Sequence, residues 1–105
     1  MALTRDFKET IKARAETDAA FRSALLTEAL ECFLSSDAET GKAVLRDYIN
    51  ATIGFETLGE ETGRPPKSLM RMLGPRGNPQ ARNLFDVIAH LQKREGVRVE
   101  VRLAR

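Results

Sequence analysis

Apolar residues recur at intervals of three and four along most of this chain, the spacing that places side chains on one face of an α-helix. Leu3, Phe7 and Ile11 predict a short first helix. Thr17–Asp18 predicts a helix cap, and a second helix then runs to about Leu34. The apolar positions of that second helix are Phe21, Ala24, Leu25, Ala29, Cys32 and Phe33.

A third helix is predicted from about Ala38 to Gly54, because a glycine commonly follows the last residue of a helix. Its apolar positions are Val44, Leu45, Tyr48, Ile49 and Ile53. Near the C-terminus, Asn78 is interpreted as the N-cap of a last helix and Pro79 as its first residue. The apolar positions of this last helix are Ala81, Leu84, Phe85, Ile88 and Leu91.

The period changes to two in residues 97–105, which is typical of a β-strand. The apolar members are Val97, Val99, Val101 and Leu103, and the charged residues between them are Arg98, Glu100 and Arg102. Because a single strand leaves its backbone groups unpaired, we expect it to pair antiparallel with a second copy near Val99. That register places Arg98 opposite the partner's Glu100 and favours a two-fold homodimer. The alternative is a frayed chain end.

The composition is that of a globular rather than a disordered protein, with 42% hydrophobic and 30% charged residues. No apolar run approaches the roughly 20 residues that cross a bilayer. The N-terminus lacks the basic-then-apolar layout of a secretory signal. Cys32 is the only cysteine, which excludes an intrachain disulfide and a multi-cysteine zinc site. We expect one compact cytoplasmic domain that does not associate with membranes.

The residue types that usually carry catalysis have structural interpretations in this chain. Cys32 lies on the apolar face of its helix and His90 is flanked by apolar residues, so neither is assigned a catalytic role. Glu56, Glu60 and Arg64 follow at intervals of four, which predicts a solvated helix face with an ion pair. The chain has no glycine-rich phosphate loop, nucleophile elbow or metal-ligand spacing. We therefore predict no enzymatic activity, no cofactor and no metal site.

The net charge of +2 is unevenly distributed. Residues 1–52 hold 7 basic and 9 acidic residues, whereas residues 53–105 hold 10 basic and 6 acidic residues. From Arg64 to Phe85 there are five basic residues and no acidic one. This asymmetry suggests a surface that faces a polyanion such as a nucleic acid.

Two short helices are predicted around a glycine turn, and the second of them lies in this basic region. The first is Phe55–Thr62, the second starts by Pro66, and Gly63 supplies the positive φ of a sharp turn. Gly59 is small where the two helices cross. The apolar residues expected to hold the pair together are Leu58, Leu69, Met72 and Leu73. The pattern predicts a helix-turn-helix, although such a pair also occurs in all-α proteins that do not bind DNA.

The outward face of the second helix is basic. As parts of a recognition helix, Lys67 and Arg71 would donate to guanine, and Met70 would contact a thymine methyl. The N-terminus of the last helix, whose free N–H groups attract anions, adds a phosphate site. The residues expected to contact phosphates are Arg64, Arg76, Asn78 and Arg82.

Further short motifs accompany the helix pair. They are Thr62-Gly63, Lys67-Ser68-Leu69, Leu73-Gly74, Gly77-Asn78-Pro79 followed by Leu84, and Val97–Val101. With them, the run from about Leu45 to Val101 resembles the helix-turn-helix antitoxins of HigA-like addiction modules, within the Cro/cI-type, lambda-repressor-like group. The resemblance implies a five-helix DNA-binding fold, repression of the protein's own operon and neutralisation of a partner toxin. The base-reading positions that it implies are Pro66, Lys67, Ser68, Met70 and Arg71.

The sequence thus predicts an all-α, lambda-repressor-like helix-turn-helix bundle. Its parts are an N-terminal helical extension over 1–36, a DNA-binding core over 37–96 and a dimerisation strand over 97–105. The predicted function is sequence-specific transcriptional repression at a palindromic operator in double-stranded DNA, with a toxin as a further partner. The alternative is a helical interaction module that binds a toxin or another protein and has only incidental affinity for nucleic acid.

Overall fold

The helical periodicity of the sequence corresponds to six α-helices in a computed structural model, which describes residues 5–105. They are α1 (Arg5–Thr17), α2 (Ala19–Leu34), α3 (Ala38–Ala51), α4 (Phe55–Thr62), α5 (Pro66–Met72) and α6 (Ala81–Glu95). The described residues contain no strand, and the all-α class is confirmed. None of these six helices has the length and hydropathy needed to cross a bilayer. Leu3, the first residue of the predicted apolar series, lies outside the described residues.

Aspartate side chains start α2 and α3. The Asp18 carboxylate accepts a hydrogen bond from the backbone N–H of Phe21 (3.0 Å), and Asp37 accepts one from Thr40 (3.3 Å). Such a bond satisfies an amide at the open end of a helix, so the cap predicted at Thr17–Asp18 is confirmed. The bond from Phe21 also holds the pKa of the Asp18 carboxyl below its ordinary value.

The third helix ends at Ala51, earlier than the predicted end at Gly54. Gly54 has a φ of 78°, and its N–H donates to the Ile49 carbonyl at 2.7 Å. The glycine therefore closes the turn after α3 and directly precedes α4. The apolar pattern extends past the helix because Ile53 packs against the core from this turn.

The hydrophobic core joins α2, α3, α4, α5 and α6. Its largest fully buried side chains are Leu26, Leu45, Tyr48, Ile49, Leu58, Leu69, Leu73, Val87 and Leu91. Four residues predicted on apolar helix faces are instead exposed: Phe7, Ala24, Ala81 and Phe85. In α2 and α6, Leu26 and Val87 are buried although the prediction did not include them. Apolar residues surround much of α2, so their spacing alone does not select its buried face.

A polar network beside the core joins four helices. Arg22 on α2 binds the Glu95 carboxylate on α6 (2.9 Å) and donates to the Ala15 carbonyl on α1 (2.6 Å). The Tyr48 hydroxyl on α3 donates to the same Glu95 carboxylate at 2.8 Å. Burial raises the pKa of the Tyr48 hydroxyl most, and the hydrogen bond to Glu95 raises it further. The network therefore requires a neutral tyrosine.

α4 and α5 form the predicted pair of short helices around Gly63. Gly63 has a φ of 69° and a ψ of 25°, and the Arg64 N–H donates to the Gly59 carbonyl at 3.0 Å. A Cβ on Gly59 would lie 2.6 Å from the Arg64 carbonyl oxygen, so only glycine fits where the chain crosses. The predicted roles of both glycines are confirmed. The apolar residues that fix the pair in the core are Leu58, Leu69 and Leu73, with Met72 packed beside them.

The last helix begins at Ala81, and the predicted start at Asn78 and Pro79 is wrong. Gln80 has a ψ of 143°, which is extended, so no helical turn includes the residues before it. Gly77 lies against the end of α5, where a Cβ would be 2.3 Å from two backbone oxygens. From that contact the chain crosses to α6 without helical structure, and Asn78 and Pro79 belong to this crossing.

The predicted β-strand over Val97–Val101 is not borne out. Residues 97–105, the C-terminal tail, have no regular secondary structure after Gly96, whose φ of 74° ends α6. A strand needs a second extended backbone beside it. In the described chain the Val99 N–H instead donates to the Gln92 side chain at 2.7 Å. The tail and α2 together line a groove of about 380 Å³.

Candidate nucleic-acid interface

One face of α5 is exposed and carries most of the side chains predicted to read bases. The exposed residues are Lys67, Ser68, Met70 and Arg71. Pro66 is half-buried, because its ring lies at the crossing with Gly59. On the opposite side, Leu69 is 1% exposed and anchors the helix in the core. The rotation of α5 about its axis is therefore set by core packing.

A groove of about 510 Å³ runs between α5, the loop after it and the first turn of α6. We call it the basic groove; its lining residues are Arg64, Pro65, Ser68, Leu69, Arg71, Met72, Arg76, Gly77, Asn78, Pro79, Gln80 and Asn83. The predicted DNA-contacting residues that the structure brings together there are Arg64, Ser68, Arg71, Arg76 and Asn78. Those that lie outside the lining are Pro66, Lys67, Met70 and Arg82.

The basic groove is positively charged, because its lining holds three arginines and no aspartate or glutamate. Arg71 and Arg76 make no side-chain hydrogen bond or ion pair with any described residue. The same holds for Lys67 on the exposed face of α5 and for Arg82 on the first turn of α6. Guanidinium and ammonium groups with free donors are well suited to phosphate oxygens.

Arg64, the third arginine of the lining, is already bonded within the protein. Its guanidinium donates to the Asn83 side chain and to the Asp86 carboxylate, both at 3.0 Å. The predicted ion pair between Glu60 and Arg64 is not formed. Gly63 is left-handed and ends α4 before Arg64, so the helical spacing on which that pair depends is lost. Arg64 instead ties the turn before α5 to α6.

The first turn of α6 closes one end of the basic groove. Gln80 and Asn83 line the groove, and no side chain caps the helix. Amide N–H groups in an uncapped first turn carry partial positive charge. The anion-attracting helix end predicted at Asn78 therefore lies at Gln80 to Asn83, and Asn78 contributes to the groove from the preceding loop.

Two basic residues of α3, which the sequence patterns did not single out, hold the loop of the basic groove. Lys42 is 3% exposed, and its ammonium donates to the carbonyls of Gly74 (3.1 Å) and Gly77 (2.6 Å). Arg46 donates to the Leu73 carbonyl at the end of α5. A lysine within the apolar series of α3 is a signal, but its acceptors are backbone atoms 32 and 35 residues away. No short-range pattern reaches that far.

The surroundings of Cys32 and His90 account for both residues structurally. Burial is the larger cause that raises the pKa of the half-buried Cys32 thiol, and the carboxylate of Asp37 raises it further. The thiol therefore stays protonated. His90 Nε2 lies 2.7 Å from the Glu61 carboxylate, and Arg94 donates to the same carboxylate at 2.7 Å. These contacts join α4 to α6.

Comparison with known proteins gives no match to a protein-family model, a curated protein or a solved structure.

Proposed function

We propose that this protein is a sequence-specific DNA-binding repressor, in which α4 and α5 form a helix-turn-helix and α5 is the recognition helix. The observation that carries the proposal is the acid-free basic groove, in which Arg71 and Arg76 have no partner among the described residues. An exposed helix face beside a cationic groove suits the edges of bases and the phosphates that flank them.

The exposed face of α5 offers three side chains suited to base edges. Lys67 and Arg71 lie one helical turn apart, and both donate to O6 and N7 of guanine in this proposal. Met70 lies between them, is 43% exposed and packs on a thymine methyl. Pro66 and Ser68 complete the surface at the start of the helix. A good bidentate contact contributes about 1–3 kcal/mol of discrimination between bases.

Arg76, Asn78 and Arg82 bind the phosphate backbone in this proposal. They lie on the loop after α5 and on the first turn of α6, beside an uncapped helix N-terminus. Contacts of this kind fix the register and orientation of the recognition helix without reading sequence. Arg64 forms an ion pair with Asp86, so its contribution is to hold the turn before α5 against α6.

The wider assignment is a lambda-repressor-like antitoxin of the HigA type that acts as a homodimer. The motif resemblance supports the family. Exposed apolar side chains support association, since Leu34 is 73%, Val101 75% and Leu103 93% exposed. Two copies would present two α5 helices to a palindromic operator. A stoichiometry of one chain per operator duplex would argue against this dimer.

A helical protein-interaction module is the second candidate function. The same exposed apolar residues at the end of α2 and on the tail favour it, because they suit the surface of a toxin or another protein. The two candidates differ in what the basic groove does. Under the second one, Arg71→Ala leaves all specific binding unchanged.

Arg71→Ala is the variant that tests the proposal. It removes an unpaired guanidinium from the basic groove, and we expect operator affinity to fall by about tenfold or more. The measurement is fluorescence anisotropy with a duplex taken from upstream of the gene.

Lys93→Ala is the matched control, because Lys93 lies in the last turn of α6 and outside the basic groove. It should change affinity by less than about twofold. Equal losses in both variants would mean that overall charge alone attracts the DNA, and would contradict the proposed site.

A further inference from the structure

The loop that forms one wall of the basic groove is held by α3. The Lys42 ammonium has three acceptors: the Gly74 carbonyl at 3.1 Å, the Gly77 carbonyl at 2.6 Å and the Glu39 carboxylate at 3.0 Å. An ammonium group has three donors, so each of them has a partner. Lys42 is also the one charged side chain that is buried in the described chain.

A buried charge whose donors are all used constrains the groups around it. Separating Lys42 from either carbonyl would leave an unpaired polar group away from water, which is unfavourable. One turn further along α3, Arg46 donates to the carbonyl of Leu73, the C-cap residue of α5. Carbonyls at the C-terminal end of a helix carry partial negative charge, and both cations therefore stabilise this end of α5.

Two contacts restrict the position of the loop after α5. A hydrogen bond from the Gly77 N–H to the Gly74 carbonyl closes it at 2.9 Å. Gly77 also lies so close to α5 that a Cβ would be 2.3 Å from two of its backbone oxygens. Arg76 therefore stands between the two residues whose carbonyls Lys42 binds, and Asn78 follows directly. Both line the basic groove together with Arg71.

We infer that Lys42, together with Arg46, is a positioning residue for DNA recognition, which sets where Arg76 and Asn78 stand relative to the recognition face of α5. The inference rests on the proposed function and extends it to a helix that contributes no residue to the groove lining. If the loop shifts, the phosphate contacts and the base contacts can no longer be made together. Loss of Lys42 therefore weakens DNA binding without removing any group that touches DNA.

Lys42→Met tests the inference, because it keeps the apolar stem and removes the ammonium. The matched control is Tyr48→Phe, which removes a buried hydroxyl whose partner, Glu95, is not part of the basic groove. Both variants should lower Tm. At a temperature at which both variants are folded, Lys42→Met alone should lower operator affinity, by about tenfold. Unchanged affinity in the folded Lys42→Met variant would show that Lys42 acts only on stability, and would overturn the inference.

A double-mutant cycle with Arg76→Ala distinguishes positioning by Lys42 from a role of Lys42 in stability alone. In the wild-type background Arg76→Ala removes a correctly placed phosphate contact. In the Lys42→Met background the arginine is already displaced, so the same substitution should have a several-fold smaller effect. Additive effects of the two substitutions would contradict positioning.

Amide hydrogen exchange in residues 74–78 supplies a test that does not require DNA. Lys42→Met should accelerate exchange there relative to α6, whereas Tyr48→Phe should not. Equal protection in wild type and Lys42→Met would overturn the inference. If the wild-type protein binds no operator, the proposed function fails, and exchange still decides whether Lys42 orders the loop. Should Lys42→Met fail to fold, Arg46→Met at a half-buried position takes its place with the same expected outcomes.

Discussion

At the scale of single residues, every buried polar side chain in the described chain has a hydrogen-bond partner. Several of these partners lie on a different element of the fold, as in the bonds from Tyr48 to Glu95 on α6 and from Lys42 to the loop after α5. Such bonds stabilise one arrangement of the helices because breaking them leaves an unsatisfied group in a dry site. Substitution of either partner therefore reports on helix packing.

Tyr48 provides a pH-dependent prediction. Burial, and then its hydrogen bond to Glu95, raise the pKa of the hydroxyl in the folded state. An unfolded tyrosine ionises near pH 10, so the unfolded chain loses its proton first as the pH rises. The stabilisation is complete below about pH 10 and is lost progressively above it, toward the folded-state pKa.

Urea unfolding between about pH 8 and about pH 11 measures this effect. We expect the free energy of unfolding to fall more steeply above pH 10 in wild type than in Tyr48→Phe. Because Tyr48 is the only tyrosine, phenolate absorbance of the folded protein follows the same group directly. Parallel stability curves, or a phenolate that titrates with its ordinary pKa, would contradict the buried network.

At the scale of helices, the sequence predicted the features that depend on local chemistry. The cap at Asp18 and the turn glycine Gly63 depend on backbone geometry within a few residues, and both were found where the pattern placed them. The start of α6 was misplaced, because it depends on how Gly77 packs against α5. The bond between Arg64 and Asp86 was missed because the two residues are 22 positions apart and meet only through tertiary packing.

Gly59→Ala tests the crossing of α4 and α5. A methyl group there would lie 2.6 Å from the Arg64 carbonyl oxygen, which is backbone and cannot move aside alone. We expect a loss of about 1–3 kcal/mol in the free energy of unfolding, together with weaker operator binding as α5 is displaced. Denaturant unfolding and anisotropy on the same samples measure the two effects.

The control for this prediction is Gly63→Asn. The space beside residue 63 is open, and asparagine visits the left-handed conformation more readily than most residues, so this variant introduces backbone strain without a steric clash. If Gly59→Ala were as stable as the wild type, the close crossing of the two helices would be wrong.

At the scale of the whole molecule, the basic groove is lined by one stretch of chain, residues 64–83, and α3 from an earlier part of the chain holds it in place. The sequence identified its three charged residues, because Arg64, Arg71 and Arg76 fall in a run without acidic residues. It did not identify Lys42, because packing of α3 against the loop is a tertiary event. The tail was predicted as a strand from alternation and from the motif resemblance, but β-pairing also needs a second backbone, which neither supplies.

We propose that the basic groove and α5 read DNA sequence. The most sensitive test is binding of the wild-type protein to a duplex from upstream of its own gene and to a scrambled duplex of equal composition, over a range of salt concentrations. We predict a preference for the native duplex that persists as salt rises, because base contacts release no counterions. Affinity for both duplexes should fall with salt, with a log–log slope of about −1.8 or steeper per bound copy if Arg76 and Arg82 each bind a phosphate. Equal affinity for the two duplexes, lost together as salt increases, would mean phosphate attraction alone and would contradict the claim.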